Sequence, residues 1–319
     1  MMEMEEIIAP VSREAIISEL TEERFLRNTS KAGNQLYVVT YHNAPHILRE
    51  IGRLREMAFR SSGGGTGKSF DVDKYDTSDH PYEQLIVWDP EDQEITAGYR
   101  LIKCTDMERD ADGKLISATA HLFKMTDRFI NEYLPQTIEL GRSFVQPKYQ
   151  RGAPRKGLFA LDNLWDGLGA IMVQNPELKY MFGKVTMYPS FHREARNIML
   201  AFLRFFFPDE EKLMRPHQPL VSHETLAQHF SLFEGREFKE AHQQLAKALK
   251  ERGESIPPLI NSYMNLSPTM KTFGTAANYN FGEVEETGIL ITFADIDPAR
   301  RDRYLQTSSE SLEFTGPTL

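Results

Sequence analysis

The segment from Thr137 to Gly157 constrains this chain more than any other. Its first nine residues, Thr137 to Val145, are apolar and β-branched enough to predict a strand. Alternation puts Ile138, Leu140 and Phe144 on or near one face, with Glu139 and Ser143 opposite. Glu139 and Arg142 thus carry charge into an element that must be buried. Pro147 ends the pairing. Gln150 to Gly157 then reads as a loop with glycines at 152 and 157 and with Lys148, Arg151, Arg155 and Lys156 in or beside it. Behind it Leu158, Leu161, Leu164, Trp165, Leu168, Ile171 and Met172 recur at helical spacing. Strand, basic glycine loop and helix make an anion-binding layout, because backbone N–H groups and the helix dipole face whatever the loop holds. The spacing is neither G-x-G-x-x-G nor Gly-Lys-Ser/Thr, so no dinucleotide or P-loop fingerprint sits here.

Composition narrows the partners. A chain of 319 residues with 40% apolar content can bury a core as one large domain or two. Its single cysteine, Cys104, excludes a disulfide framework and fits a reducing cytosol. Met1 to Ile8 carries glutamates but no basic region followed by an apolar run, so no signal peptide is expected. The most apolar run, Ile198 to Phe207, is about half the roughly 20 residues a bilayer span needs. A net charge of −9 argues against nucleic acid, and the local cations at 148–156 suggest either one specific anionic partner or a solvated loop with a chance cluster of charge.

Before the central segment, residues 1–34 read as an acidic arm with a short helical pattern. A strand is expected at Gln35 to Tyr41 and a helix at His46 to Arg60, with Pro45 in its first turn. Ser62 to Ser69 ends in Gly-Lys-Ser, yet a helix precedes it and no helix follows, so a flexible loop is expected rather than a nucleotide site. Gln84 to Trp88 and Glu94 to Lys103 flank Asp89-Pro90-Glu91-Asp92 and predict a hairpin. Arg100 in its second arm reads as a buried partner of Glu139, a ligand for a substrate carboxylate, or one half of a cross-strand salt bridge. Phe129 to Leu134 reads as a short helix before the central strand. Further on, a strand at Lys179 to Met187 precedes a phenylalanine-rich helix, Ser190 to Phe207. Core packing explains that helix most simply, and the alternative is a lining for an acyl chain or a membrane contact. Pro208 to Pro219 reads as a linker, Ser222 to Arg252 as two helices, and Phe273 to Phe293 as closing strands.

Several of these segments carry a family resemblance. Val145-Gln146-Pro147-Lys148-Tyr149-Gln150 with the glycine loop resembles the acyl-donor motif of the GNAT acyltransferase superfamily. Glu139-Leu140-Gly141-Arg142-Ser143-Phe144-Val145 resembles the Glu-x-Ser-Arg-Phe-x-Val of acyl-homoserine-lactone synthases. It equally resembles the Glu-x-Gly-Arg-Ser-x-Val of the hemolysin-like N-acyltransferases that make ornithine and glycine lipids. Gly98-Tyr99-Arg100-Leu101 is similar to the Gly-x-x-Arg-Leu of both groups, and Arg55, Phe59, Asp73 and Asp76 match their helix and acidic patch. Ile256 to Met264 resembles the second group's Leu-Pro-Pro-Leu-Ile-Lys-Gly-Tyr-Leu, with Asn261 and Ser262 in place of Lys-Gly.

The resemblance implies an α/β, GNAT-like acyltransferase fold, a mixed central sheet flanked by helices with a helical insert at about 208–255. That domain would span 35–295, between the arm and a tail at 296–319. It implies an N-acyltransferase that moves a long (3-hydroxy)acyl chain from acyl carrier protein to the α-amine of glycine or ornithine for aminolipid synthesis. No cofactor is bound permanently and no metal is expected; the co-substrate is an acyl-phosphopantetheine thioester on acyl carrier protein or CoA. Backbone N–H groups at Val145 and Gln146 would meet the thioester carbonyl. Arg151, Gly152, Arg155, Lys156 and Gly157 would hold the phosphate, and Lys148 and Lys156 would steer the acidic carrier protein. Arg100, Asp73 and Asp76 would serve the acceptor. Glu139 is the candidate general base; an isolated glutamate titrates near about 4.3, so it must be buried to act at neutral pH. Arg142 lies on the opposite face of a regular strand, and a bulge would be needed to bring it to Glu139. A buried ion pair that merely fixes the strand is the competing reading. The cytoplasm is the expected location, with a peripheral contact at the inner membrane face. Rival functions are an acyl-homoserine-lactone-type synthase, a CoA-dependent small-molecule acetyltransferase and a non-enzymatic lipid-binding protein.

Overall fold

A computed structural model of the protein describes residues 4–150, 159–305 and 310–317. In chain order its strands are β1 (Phe25–Asn28), β2 (Gln35–Val39), β3 (Glu83–Asp89), β4 (Glu94–Lys103), β5 (Phe123–Met125), β6 (Thr137–Val145), β7 (Tyr180–Met187), β8 (Met214–Pro216), β9 (Lys271–Asn278) and β10 (Val284–Thr292). Its helices are α1 (Arg13–Glu19), α2 (Pro45–Arg60), α3 (Lys74–Thr77), α4 (Ala160–Gln174), α5 (Arg193–Phe206), α6 (His223–Ala227), α7 (Phe238–Lys250), α8 (Pro258–Met264) and α9 (Pro298–Leu305). They pack as two compact units, one of Met1–Lys114, Ile138–Leu178 and Pro298–Leu319, the other of Leu115–Thr137 and Lys179–Asp297.

The first unit is built on an antiparallel sheet in the order β1-β2-β3-β4-β6. The expected hairpin joins β3 to β4, its turn held by Asp89 Oδ1, which accepts from the N–H groups of Glu91 at 2.9 Å and Asp92 at 3.0 Å. On one face α4 comes so close that a Cβ at Gly167 would lie 2.8 Å from the Leu85 methyls. On the other, α2 buries Ile47, Ile51, Leu54 and Ala58 at helical spacing and carries Arg55 inward with them. The segment read as a tail is part of this packing. Its α9 lies on α4, with the Trp165 and Tyr304 rings stacked at 5.8 Å, and Phe314 covers Phe25 at 5.3 Å.

Two strands in the second unit escape the sequence pattern because they are three residues long, too short for alternation to show. These are β5 and β8, paired antiparallel, and β8 lies inside the proline-rich stretch read as a linker. The larger sheet there is β7-β10-β9, antiparallel throughout. Phe202 of α5 is fully buried against Phe206, Phe233 and Phe238 at 4.7, 5.2 and 5.8 Å, so core packing accounts for that position. His192 caps the same helix, its Nδ1 accepting from the Ala195 N–H at 3.4 Å. Among the described residues no helix is long and apolar enough to cross a membrane.

Candidate active site

The site grows from an irregularity in β6. Ile102 pairs with Glu139 and Arg100 with Gly141, but Gly98 pairs with Phe144, so β6 has one residue more than β4 between the last two pairs. The bulge falls at Arg142, whose φ of 49° is left-handed and costs a non-glycine residue about 1–2 kcal/mol. Regular alternation would have kept Phe144 with Ile138 and Leu140. The bulge moves it to the face of Glu139 and Gly141, where its ring covers Gly98 so tightly that a Cβ there would lie 2.7 Å away. That face also carries Arg100, and Glu139 is 1% exposed on it. A Cβ built on Gly141 would meet nothing within 4 Å, so open space lies between Glu139 and Arg100 along the ladder.

The bulge turns Arg142 toward two aspartates. Its Nε lies 2.8 Å from Asp71 and its Nη2 3.7 Å from Asp73. Asp71, fully buried, is a member of the site that the sequence motifs do not mark. The Asp-Val-Asp run could have revealed it, because residues two apart in an extended segment share a side. Arg100 is also placed differently from the Glu139 pairing considered for it. Its Nη1 donates to both carboxylate oxygens of Asp73 at 2.8 Å and to Asp76 at 3.3 Å. Its guanidinium lies over the rings of Tyr82 and Tyr75, at 5.1 and 5.7 Å. Arg55 reaches Asp76 at 3.2 Å and donates to Gln84, whose own amide donates to Asp76 at 3.0 Å. Asp73 and Asp76 also build the capping box of α3, which fixes both carboxylates.

Burial and charge act on these groups in opposite directions. Desolvation pushes the Asp76 carboxyl up, but Arg100 and Arg55 more than offset it and hold the group well below the usual carboxylate range. Asp71 goes the other way: burial raises it despite Arg142 and Arg55. Arg55 is lowered by burial, whereas Arg100, equally desolvated, is raised by Asp76 and Asp73. The Tyr75 hydroxyl is raised by burial and then by Asp73, with Arg100 and Arg142 opposing. Of the charged side chains the two most accessible are Asp73, with 28% of its side chain exposed, and Arg142, with 15%.

The donor side is partly described. The Gln146 N–H, expected to be open for a thioester carbonyl, donates to Thr96 at 2.8 Å, and its side-chain amide donates to Ile95 at 2.8 Å. Gln146 therefore anchors the end of β6. Lys148 pairs with Glu94 at 2.9 Å and keeps 55% of its side chain exposed. Arg151, Gly152, Arg155, Lys156 and Gly157 lie outside the described residues. The other glycine loop offers no phosphate cradle. Glu56 accepts from the Thr66 N–H at 3.0 Å, the Thr66 hydroxyl at 2.8 Å and the Gly67 N–H at 2.9 Å, and Glu5 accepts from the Ser69 N–H at 2.8 Å. Carboxylates already occupy the donors an anion would need, and they tether a loop that was expected to be flexible.

Residues 54–160 match the family model of the acetyltransferase (GNAT) domain. The chain is 56% identical over 309 residues to a glycine N(alpha)-acyltransferase of Bacteroides thetaiotaomicron, covering 97% of this chain and 92% of that one. It is 52% identical to a protein of the same name from Phocaeicola vulgatus, over 95% and 94% of the two chains. Among solved structures, a CoA-dependent acyl-homoserine lactone synthase aligns over 85% of this chain and 88% of that one, at 12% identity and a TM-score of 0.35. With relatives of such identity over nearly its whole length, the chain belongs to the GNAT acyltransferase family.

Proposed function

We propose that this protein transfers a long-chain fatty acyl group from an acyl-phosphopantetheine thioester to the α-amine of glycine. The observation that carries the proposal is the constellation around Gly141, in which Glu139 and Arg100 flank an open position and Arg142 and Asp73 form the accessible edge. The names of the two relatives support glycine as acceptor. Open space over Gly141, where a Cβ would meet nothing within 4 Å, leaves room for a small acceptor such as glycine to approach the strand.

In this reading Arg142 meets the glycine carboxylate and Asp73 its ammonium before reaction. The ammonium first gives up one proton to solvent, and Glu139 takes a second from the nitrogen of the neutral amine as it attacks the thioester carbonyl. The N–C bond forms, the C–S bond breaks, and the proton passes to the departing thiolate. Acyl carrier protein is the proposed donor, met by the basic segment that begins at Lys148, and the N-acylglycine enters aminolipid synthesis at the cytoplasmic face of the membrane.

Purified protein given palmitoyl-loaded carrier protein or palmitoyl-CoA, with glycine or ornithine, tests each part by mass spectrometry. N-palmitoylglycine from the carrier-protein donor, lost in Glu139→Gln with the fold retained, is the expected outcome. Equal product from Glu139→Gln would remove the base assignment, and acylation of ornithine alone would overturn the acceptor.

A further inference from the structure

The second unit contains a cavity of about 1190 Å³, above the range of about 300–1,000 Å³ common for small-molecule sites. Its wall is apolar, with Leu203, Leu226 and Phe273 buried in it and Phe205 and Phe230 half-buried. At its edge stand four exposed cations, Lys124, Arg204, Lys212 and Arg215, against two carboxylates, Asp127 and Asp209. Asp209 accepts from the Met214 N–H at 3.2 Å. Among the described residues none of the four cations forms an ion pair. Other cations of this unit do: Lys271 with Glu211, Arg196 with Glu285 and Lys184 with Glu286. In a chain with a net charge of −9, an apolar cavity edged by unneutralised cations selects a particular ligand chemistry. It suits a molecule with a long apolar chain and an anionic head, and arginine forks fit a carboxylate.

We propose that this cavity binds a long-chain N-acyl amino acid, its alkyl chain along the Leu203–Phe273 wall and its carboxylate on the cationic edge. The identity of the ligand rests on the function proposed above, because N-acylglycine is the product that joins those two features in one molecule. The site would give the enzyme a place to hold its product away from bulk water, where the free amphiphile is poorly soluble.

Calorimetric titration of the full chain, without any acyl donor, tests this. N-palmitoylglycine is expected to bind, N-acetylglycine not detectably, and the methyl ester of N-palmitoylglycine at least tenfold more weakly. The double variant Arg204→Glu/Arg215→Glu, on exposed positions that leave the core intact, is expected to weaken binding at least tenfold. Leu203→Trp, checked for folding by its thermal transition, should weaken it by filling the cavity. Palmitate binding more tightly than N-palmitoylglycine would overturn the assignment to the product. Unchanged binding in the charge-reversed variant, or equal affinity for the methyl ester, would overturn the site. Glu139→Gln keeps this binding while losing acyl transfer, so the two readings fail separately: binding without transfer in the wild type removes the proposed function, and transfer without binding removes the cavity assignment.

Discussion

Gly141 stands directly across the β4–β6 ladder from Arg100, and nothing occupies the position where its side chain would be. A mid-strand glycine weakens a strand, and it is found where something must approach the backbone closely. Gly141→Ala is expected to fold normally, since its backbone is not left-handed, and to raise the KM for glycine roughly tenfold, about 1.4 kcal/mol. Gly141→Leu should abolish transfer. Steady-state kinetics beside thermal unfolding separates the two effects; an unchanged KM in both variants would mean the acceptor sits elsewhere.

Asp76 and Asp71 predict opposite pH dependences. The folded-state pKa of Asp76 is depressed, so its stabilisation is complete above the unfolded value of about 3.9 and is lost as pH falls through the folded pKa. Asp76→Asn is expected to cost on the order of 3–5 kcal/mol at neutral pH, because it leaves Arg55 and Arg100 underpaired, and the gap to wild type should close below about pH 4. The folded pKa of Asp71 is raised, so its contribution is largest at low pH and declines as pH rises through that pKa. The wild-type advantage over Asp71→Asn should therefore shrink with rising pH. Urea unfolding from about pH 2 to pH 7 reads both slopes, and parallel slopes would contradict the assignment.

Phe144 lies over Gly98, with the Leu85 carbonyl 3.2 Å from a Cβ built at that glycine. Gly98→Ala is expected to destabilise by about 1–3 kcal/mol through overpacking. Adding Phe144→Leu should recover part of that loss in a double-mutant cycle. Full additivity would show that the ring does not depend on the glycine.

Gly169 supports α9. A Cβ there would lie 2.6 Å from the Tyr304 carbonyl oxygen, a backbone atom that cannot rotate aside. Gly169→Ala should loosen Pro298–Leu305 from α4, visible as faster amide exchange in α9 while β3 and β4 stay protected.

Local pattern determined most of the elements. The helix over 45–60, the β3–β4 hairpin, the strand at 137–145 and the closing strands follow from periodicity, proline placement and turn chemistry, all properties of adjacent residues. Motifs of adjacent residues also carried the family resemblance that marked Glu139, Arg100, Asp73, Asp76 and Arg142 as candidates. Which of them meet was decided by tertiary structure. One extra residue at Arg142 moves Phe144 to the other face and points the guanidinium at Asp71, and a period-2 reading cannot register a bulge that exists only against a partner strand. The strands β5 and β8 exist only because each has the other to pair with, and α9 packs on α4 where Gly169 leaves room for it. What the sequence determined by itself was set by neighbours along the chain; what needed the fold was set by contacts between residues far apart in it.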